Sequence, residues 1–319
     1  MTNGMNESLR GYSGKQNEWD RYASIRSKPR RFIDYDLEEE YFPISRQPLC
    51  VHPLITSMGK KAVSFILTQS LYKFMYEIAM LETEMVNSAA CKVANNRLPY
   101  CFSFDIRHDA LTVIIDEAYH AFVAVDFMKQ VQKKTKIQPI DMPTESPNTL
   151  AIKAAHRHLP AELHDSFELI AVCISEHTLT KEMIAIGKES KMLKSFSEVM
   201  FDHVQDEGRH AAIFSSILKI FWDSFEEKEK ALIGSILPLF LKEYLSTTQQ
   251  IEFDKRILAA LSLPDEKIDK IISDTHMLGE EIDLKNTNPV FKNVVKLLER
   301  TGILIHENVK KSFMQEGLL

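Results

Sequence analysis

One short pattern occurs twice in the chain and has the makings of chemistry rather than packing: Asp116-Glu117-Ala118-Tyr119-His120 and Asp206-Glu207-Gly208-Arg209-His210. Three residues apart on a helix, the Glu and His of each copy reach toward the same point. E-x-x-H alone says little, but D-E-x-x-H is expected by chance only ~0.05 times in a chain of this composition, so two copies form a specific signal. Carboxylate and imidazole converging on one place suit a divalent first-row metal, iron or manganese, and disfavour a thiolate-seeking one. His203 adds a third imidazole, since His203, Glu207 and His210 fall within an arc of roughly 60° on one helical face.

Side chains at such spacings need helices to aim them, and helical periodicity starts near residue 58 and scarcely stops. The spacing predicts long helices over about 58–94, 109–133, 160–188 and 194–222, then shorter ones near 227–246, 248–261, 265–274, 289–300 and 303–315. The inward stripe of each long helix is apolar at its ends and ionisable in the middle. It runs Leu71, Met75, Ile78, Glu82, Met85, Ala89 on the first and Val113, Glu117, His120, Ala124, Phe127, Val131 on the second. On the third it runs Leu169, Cys173, Glu176, Thr180, Met183, and on the fourth Phe196, Met200, His203, Glu207, His210, Phe214, Ile217. Four ionised carboxylates in an apolar interior must be neutralised or paired. No lysine or arginine interrupts these stripes, so two divalent cations are the economical counter-charge, with neutral imidazoles completing their coordination.

The segment Lys133–Asn148 carries Pro139, Pro143 and Pro147 and reads as a crossover, because proline cannot donate in a helix interior. Four long helices with one long central connection predict an all-α, ferritin-like four-helix bundle with a core over about 58–222. Accessory helices over 227–315 and an extended N-terminal segment over 31–53 complete a single domain, 31–319, behind a mobile tail at 1–30. Asp109 is the expected N-cap of the second helix, and Ser195 with Glu198 resembles a capping box for the fourth. Arg209 is expected to pair with an acid between helices, while His177 points about 100° away from Glu176 on the same helix.

Composition removes several classes of function. A net charge of −6 over 319 residues gives no pull toward nucleic acid or an anionic membrane. The basic clusters at 28–31 and 129–136 are too small to reverse that. No apolar run approaches the roughly 18 residues of a membrane span, and the polar N-terminus has no signal-peptide core. Cys50, Cys91, Cys101 and Cys173 lack C-x-x-C spacing, which excludes a zinc ribbon, a thioredoxin motif and a disulfide scaffold, and fits a reducing cytoplasm.

At the metal-type residues the sequence resembles the bacterial di-iron arylamine N-oxygenases, the family of the 4-aminobenzoate N-oxygenase AurF. The order is a lone Glu, E-x-x-H, a lone Glu, then H-x-x-x-E-x-x-H. It matches Glu82; Glu117 and His120; Glu176; and His203, Glu207 and His210, over residues of about 60–225. LETE offers both Glu82 and Glu84 for the first position, and the stripe favours Glu82 because Glu84 falls beside Glu77 and Ser88 on a polar face. The resemblance implies a cytoplasmic homodimer that uses two Fe ions, O₂ and an external electron donor. It implies oxidation of a small primary amine through hydroxylamine toward nitroso or nitro, by way of a peroxo-diferric species. It also implies that Asp116 and Asp206 each hydrogen-bond the outer nitrogen of a metal-binding histidine across the helix pair. A di-iron C–H hydroxylase or desaturase, an iron-handling protein of the ferritin or rubrerythrin kind, and a metal-free helical interaction protein remain the alternative readings.

Overall fold

The computed structural model describes residues 12–36, 40–187, 193–276, 284 and 288–319. Short helices α1 (Gln16–Tyr22) and α2 (Ser24–Ser27) come first, followed by 3₁₀ turns at Ile44–Arg46 and Pro48–Val51 and by α3 (Pro53–Ser57). The bundle is built from α4 (Lys60–Met80) continuing through a π-helical turn, Leu81–Val86, into α5 (Asn87–Ala94), then α6 (Phe104–Thr135), α8 (His164–Gly187) and α9 (Lys194–Ser224). The short helix α7 (Pro147–His156) lies on the crossover between α6 and α8. Beyond the bundle follow α10 (Glu227–Tyr244), α11 (Thr248–Ala260), α12 (Asp265–Thr275), α13 (Pro289–Arg300) and α14 (Glu307–Gln315). No β-strand occurs among the described residues, and the fold is an all-α, ferritin-like bundle.

The core is divided as the stripes require. One apolar body gathers Val86, Val113, Phe167, Leu169, Phe214 and Ile217, and a second gathers Leu71, Met75, Ile78, Phe127, Phe196 and Met200. The carboxylates and imidazoles occupy the layer between them. The side chains of Thr180 and Met183 lie outside those described. Accessory helices then pack on the outside: α10 on α7, α14 on α10, α13 on α8. Gly234 lets α10 and α14 close together, since a Cβ there would stand 2.1 Å from Val309 Cγ2.

Several local expectations are corrected. Helix α6 begins five residues earlier than its spacing predicts, at Phe104, capped by Ser103, whose Oγ accepts from the Ile106 amide. Asp109 is therefore not a cap; it lies buried inside the helix and accepts from the Tyr12 hydroxyl and from the Lys15 amide at 2.9 Å. Ser195 and Glu198 form no capping box, because α9 starts at Lys194 with Leu193 as its N-cap, and Glu198 instead accepts from Arg31. Pro147 opens a helix rather than closing a loop: it is the first residue of α7, and Ser146 Oγ accepts from the Thr149 amide. The expected tail at 1–30 also differs. Residues 1–11 lie outside the described residues, whereas 12–30 carry α1 and α2, which pack on α6 and α9. Tyr12, Gln16 and Trp19 there, with the Lys15 and Ser24 amides, donate to buried aspartates, while most charged side chains of the stretch stay exposed.

Candidate metal centre

Glu82 sits in the π-helical turn, Glu117 and His120 on α6, Glu176 on α8, and His203, Glu207 and His210 on α9. All seven are buried, and the four glutamates are at most 1% exposed. Glu84 is exposed, so of the LETE pair only Glu82 faces the centre. The π turn is the local device that periodicity alone does not reveal. Such single turns interrupt an α-helix mostly at functional sites and re-aim one side chain. His177 is only partly buried and belongs to neither cluster described next.

Two overlapping clusters result. In one, Glu82, Glu117, His120, His203 and Glu207 each bring a donor atom within 4.8 Å of the others. In the second, Glu117, Glu176, Glu207 and His210 do the same. Glu117 and Glu207 belong to both. Within the clusters His203 Nε2 stands 2.8 Å from Glu82 Oε1 and 3.1 Å from Glu207 Oε1, and His210 Nδ1 stands 2.9 Å from Glu117 Oε1. Yet both Glu82 oxygens, both Glu207 oxygens, His203 Nε2 and His210 Nδ1 have no hydrogen-bond partner. The atoms are close but misaligned for one another, as donors aimed at a common point would be. Orphaned buried polar atoms are costly and rare, so a cluster of six marks a place shaped for cations. The residues present fit a pair of metal ions.

The protonation pattern agrees. Burial pushes Glu82 up to about 7, and burial together with Glu207 and Glu117 pushes Glu176 well above the usual carboxylate range. Burial also acts upward on Glu207, but the His210 and His203 imidazoles outweigh it and hold that carboxylate well down. Burial disfavours the imidazolium of His120 and His210, yet the surrounding carboxylates raise both well above the ordinary histidine value. In the metal-free protein, protons take the place that cations would fill.

The outer nitrogens are held reciprocally. His120 Nε2 lies 3.0 Å from Asp206 Oδ2, and His210 Nε2 lies 3.1 Å from Asp116 Oδ2. Each aspartate thus orients the histidine of the other helix, turning Nδ1 of both rings inward. Arg209 bridges the two aspartates, donating from one terminal nitrogen to Asp116 Oδ2 and, at 3.1 Å, to Asp206 Oδ1. It pairs with acids, as its position between helices predicts.

A cavity of about 110 Å³ opens beside His120 and His203. Its walls are mostly apolar, from Met75, Ile78, Val123, Phe127, Val199 and Met200, with Tyr119 at its edge. A second, more polar cavity of about 440 Å³, lined by Gln47, Ser70, Lys73, Asn148 and Thr178, lies on the other side of Ile78. The contribution of Ser24 and Lys28 to the first cavity was beyond sequence reasoning, because nothing in a polar N-terminal stretch signals where it docks.

A family model described as p-aminobenzoate N-oxygenase AurF matches residues 14–302. Among curated proteins nothing matches the chain. No helix among the described residues is long and apolar enough to cross a membrane.

Proposed function

The chain belongs to the p-aminobenzoate N-oxygenase AurF family, non-haem di-iron oxidoreductases acting on arylamines, and from that premise we propose how its residues serve the reaction. Glu82, His120 and His203 would hold one iron and Glu176 and His210 the other, with Glu117 and Glu207 placed to contribute to both. The two irons supply the binding and reductive activation of O₂ when bound. The first oxidation balances as R–NH₂ + O₂ + 2 electrons + 2 protons giving R–NHOH + H₂O, with the electrons from an external donor. Further rounds carry the hydroxylamine toward nitroso or nitro.

The chain's own residues do the rest. Asp116 and Asp206 fix the ring orientation of His210 and His120 and strengthen their inward nitrogens as donors. Met75, Ile78, Phe127 and Val199 present an apolar wall beside His120 and His203, which excludes water and admits a flat, small amine edge-on. The observation that carries this reading is the convergence of buried glutamate and histidine donor atoms from four helical segments, with the Glu82, Glu207, His203 and His210 atoms among them unpartnered. The family membership favours N-oxygenation over C–H hydroxylation, desaturation or iron storage.

Protein loaded anaerobically with ferrous iron, reduced, and exposed to O₂ with p-aminobenzoate or another small arylamine is expected to yield the hydroxylamine, nitroso or nitro product by mass spectrometry. Oxygenation of carbon with the nitrogen untouched would overturn the reading.

The assembly we propose is a homodimer. Phe104, Leu111, Ile115, Phe122 and Val125 form one apolar face along α6, and all are exposed, Phe104 by 76%. A contiguous apolar stripe of that length is uncommon on a monomer and suits a self-complementary contact. Light scattering is expected to give twice the chain mass, and Phe122→Asp is expected to shift it toward the monomer; a wild-type monomer at micromolar concentration contradicts the dimer.

A further inference from the structure

One wall of the cavity beside the metal centre comes from outside the bundle. Ser24 and Lys28 of the N-terminal arm line it, facing Tyr119, His120 and His203. The same arm makes hydrogen bonds to both histidine-orienting aspartates. Trp19 Nε1–H donates to Asp116 Oδ1 at 2.8 Å, the carboxylate whose other oxygen faces His210 Nε2. The Ser24 amide donates to Asp206 Oδ2 at 3.1 Å, the same oxygen that faces His120 Nε2. The arm is anchored independently at both ends. Gln16 Nε2 and the Lys15 amide donate to Asp109, Arg30 Nε donates to Asp126 at 2.9 Å, and Arg31 Nε donates to Asp202 at 2.8 Å. Ser24 Oγ, by contrast, is buried with no partner.

We propose that this arm is a clasp joining iron occupancy to access: Trp19 and Ser24 act as positioning residues for His210 and His120, while the segment carrying them closes the cavity through which the amine arrives. The inference rests on the metal assignment of the preceding subsection. Each aspartate has two oxygens and several donors competing for them. A donor from the arm fixes which lone pair is left for the histidine, and so fixes the direction of the inward Nδ1. A docked arm therefore favours bound metal. By linkage, bound metal favours the docked arm by the same factor. The unpartnered Ser24 hydroxyl gives the clasp a polar contact for the incoming amine nitrogen beside His120 and His203.

Two measurements on the full-length protein test this, neither requiring turnover. First, trypsin cleavage after Arg21 and Arg26 in the arm is followed with and without manganese(II) as a redox-inert probe. Metal is expected to slow both cuts by about tenfold. Second, Trp19→Phe keeps the aromatic ring and removes the donor. It is expected to weaken metal binding at the Glu176/His210 position by about tenfold, to leave the Glu82/His120/His203 position nearly unchanged, and to abolish most of the protection of the arm. The melting temperature of metal-free Trp19→Phe, compared with wild type, separates this selective loss from general loosening. Wild-type protein that binds two manganese ions yet cleaves equally fast without them overturns the clasp, as does a Trp19→Phe variant with unchanged affinity at both positions. Failure of the wild type to bind metal at all sinks the metal assignment instead, and the clasp with it.

Discussion

Glu117→Gln and Glu207→Gln are each expected to lower the iron content from two ions per chain to fewer than one, whereas Glu176→Gln retains about one. The asymmetry follows from geometry, since Glu117 and Glu207 bring donor atoms to both clusters while Glu176 contributes to one. Charge gives the same answer. Four glutamates would balance two divalent ions in this buried layer, so losing a shared carboxylate would leave net positive charge facing itself at short range with nothing in the adjacent apolar bodies to screen it. Losing Glu176 would be met by releasing the one ion of the cluster to which it contributes. Metal analysis after ferrous loading and desalting reads the difference directly; two ions retained by Glu207→Gln contradict the shared-ligand assignment. The same loading has a definite pH sign. Glu82, raised to about 7, together with Glu176, His120 and His210, all shifted upward, carries protons that metal must displace. Iron binding therefore releases protons and weakens on acidification, by about tenfold per pH unit for each net proton released. An affinity unchanged between pH 7.5 and pH 6 is the contrary result.

What the amino-acid sequence discloses about this centre is set by the range of the forces involved. A stripe of residues three and four apart is a local property, so the inward facing of Glu82, Glu117, His120, Glu176, His203, Glu207 and His210 can be read from spacing, and the polar flank of Glu84 can be read the same way. The crossed pairing of Asp116 with His210 and Asp206 with His120 is what the family resemblance implies, and the two motifs on α6 and α9 make it. Features decided by tertiary contact leave no such trace. Trp19 reaches Asp116 across 97 residues of chain, and no periodicity links a tryptophan in a polar stretch to an aspartate in a core. The π turn at Leu81–Val86 likewise carries no distinctive residue. Asp109 shows the same limit from another side. An aspartate near a helix start is usually a cap, but here a docked arm supplies donors that reward burying it one turn and a half further in.

Arg209 carries the second large effect. Its side chain is buried between Asp116 and Asp206, neither of which is exposed at all. Replacing it by Met keeps an unbranched apolar stem but removes the guanidinium, leaving two buried carboxylates whose remaining partners are histidines and the arm's two donors. Removing one partner of a buried ion pair costs about 3–5 kcal/mol, because the other charge is left uncompensated. Arg209→Met is therefore expected to lower the melting temperature of the metal-free protein by on the order of 10 °C. Arg209→Lys should fall between, since an ammonium supplies the charge but on a stem that does not place it where the one terminal guanidinium nitrogen touches both carboxylates. Adding Asp116→Asn to Arg209→Met removes one of the stranded charges, so the double variant is expected to cost less than the sum of the single ones. Metal loading sharpens the contrast. With the histidines held neutral by bound cations, the aspartates can no longer be compensated by imidazolium, and Arg209 becomes the one full positive charge among the described residues in contact with both. Wild-type protein should then gain more thermal stability from iron than Arg209→Met does. Equal gains, or a metal-free melting temperature within 2 °C of wild type, would show that the two aspartates do not depend on this arginine.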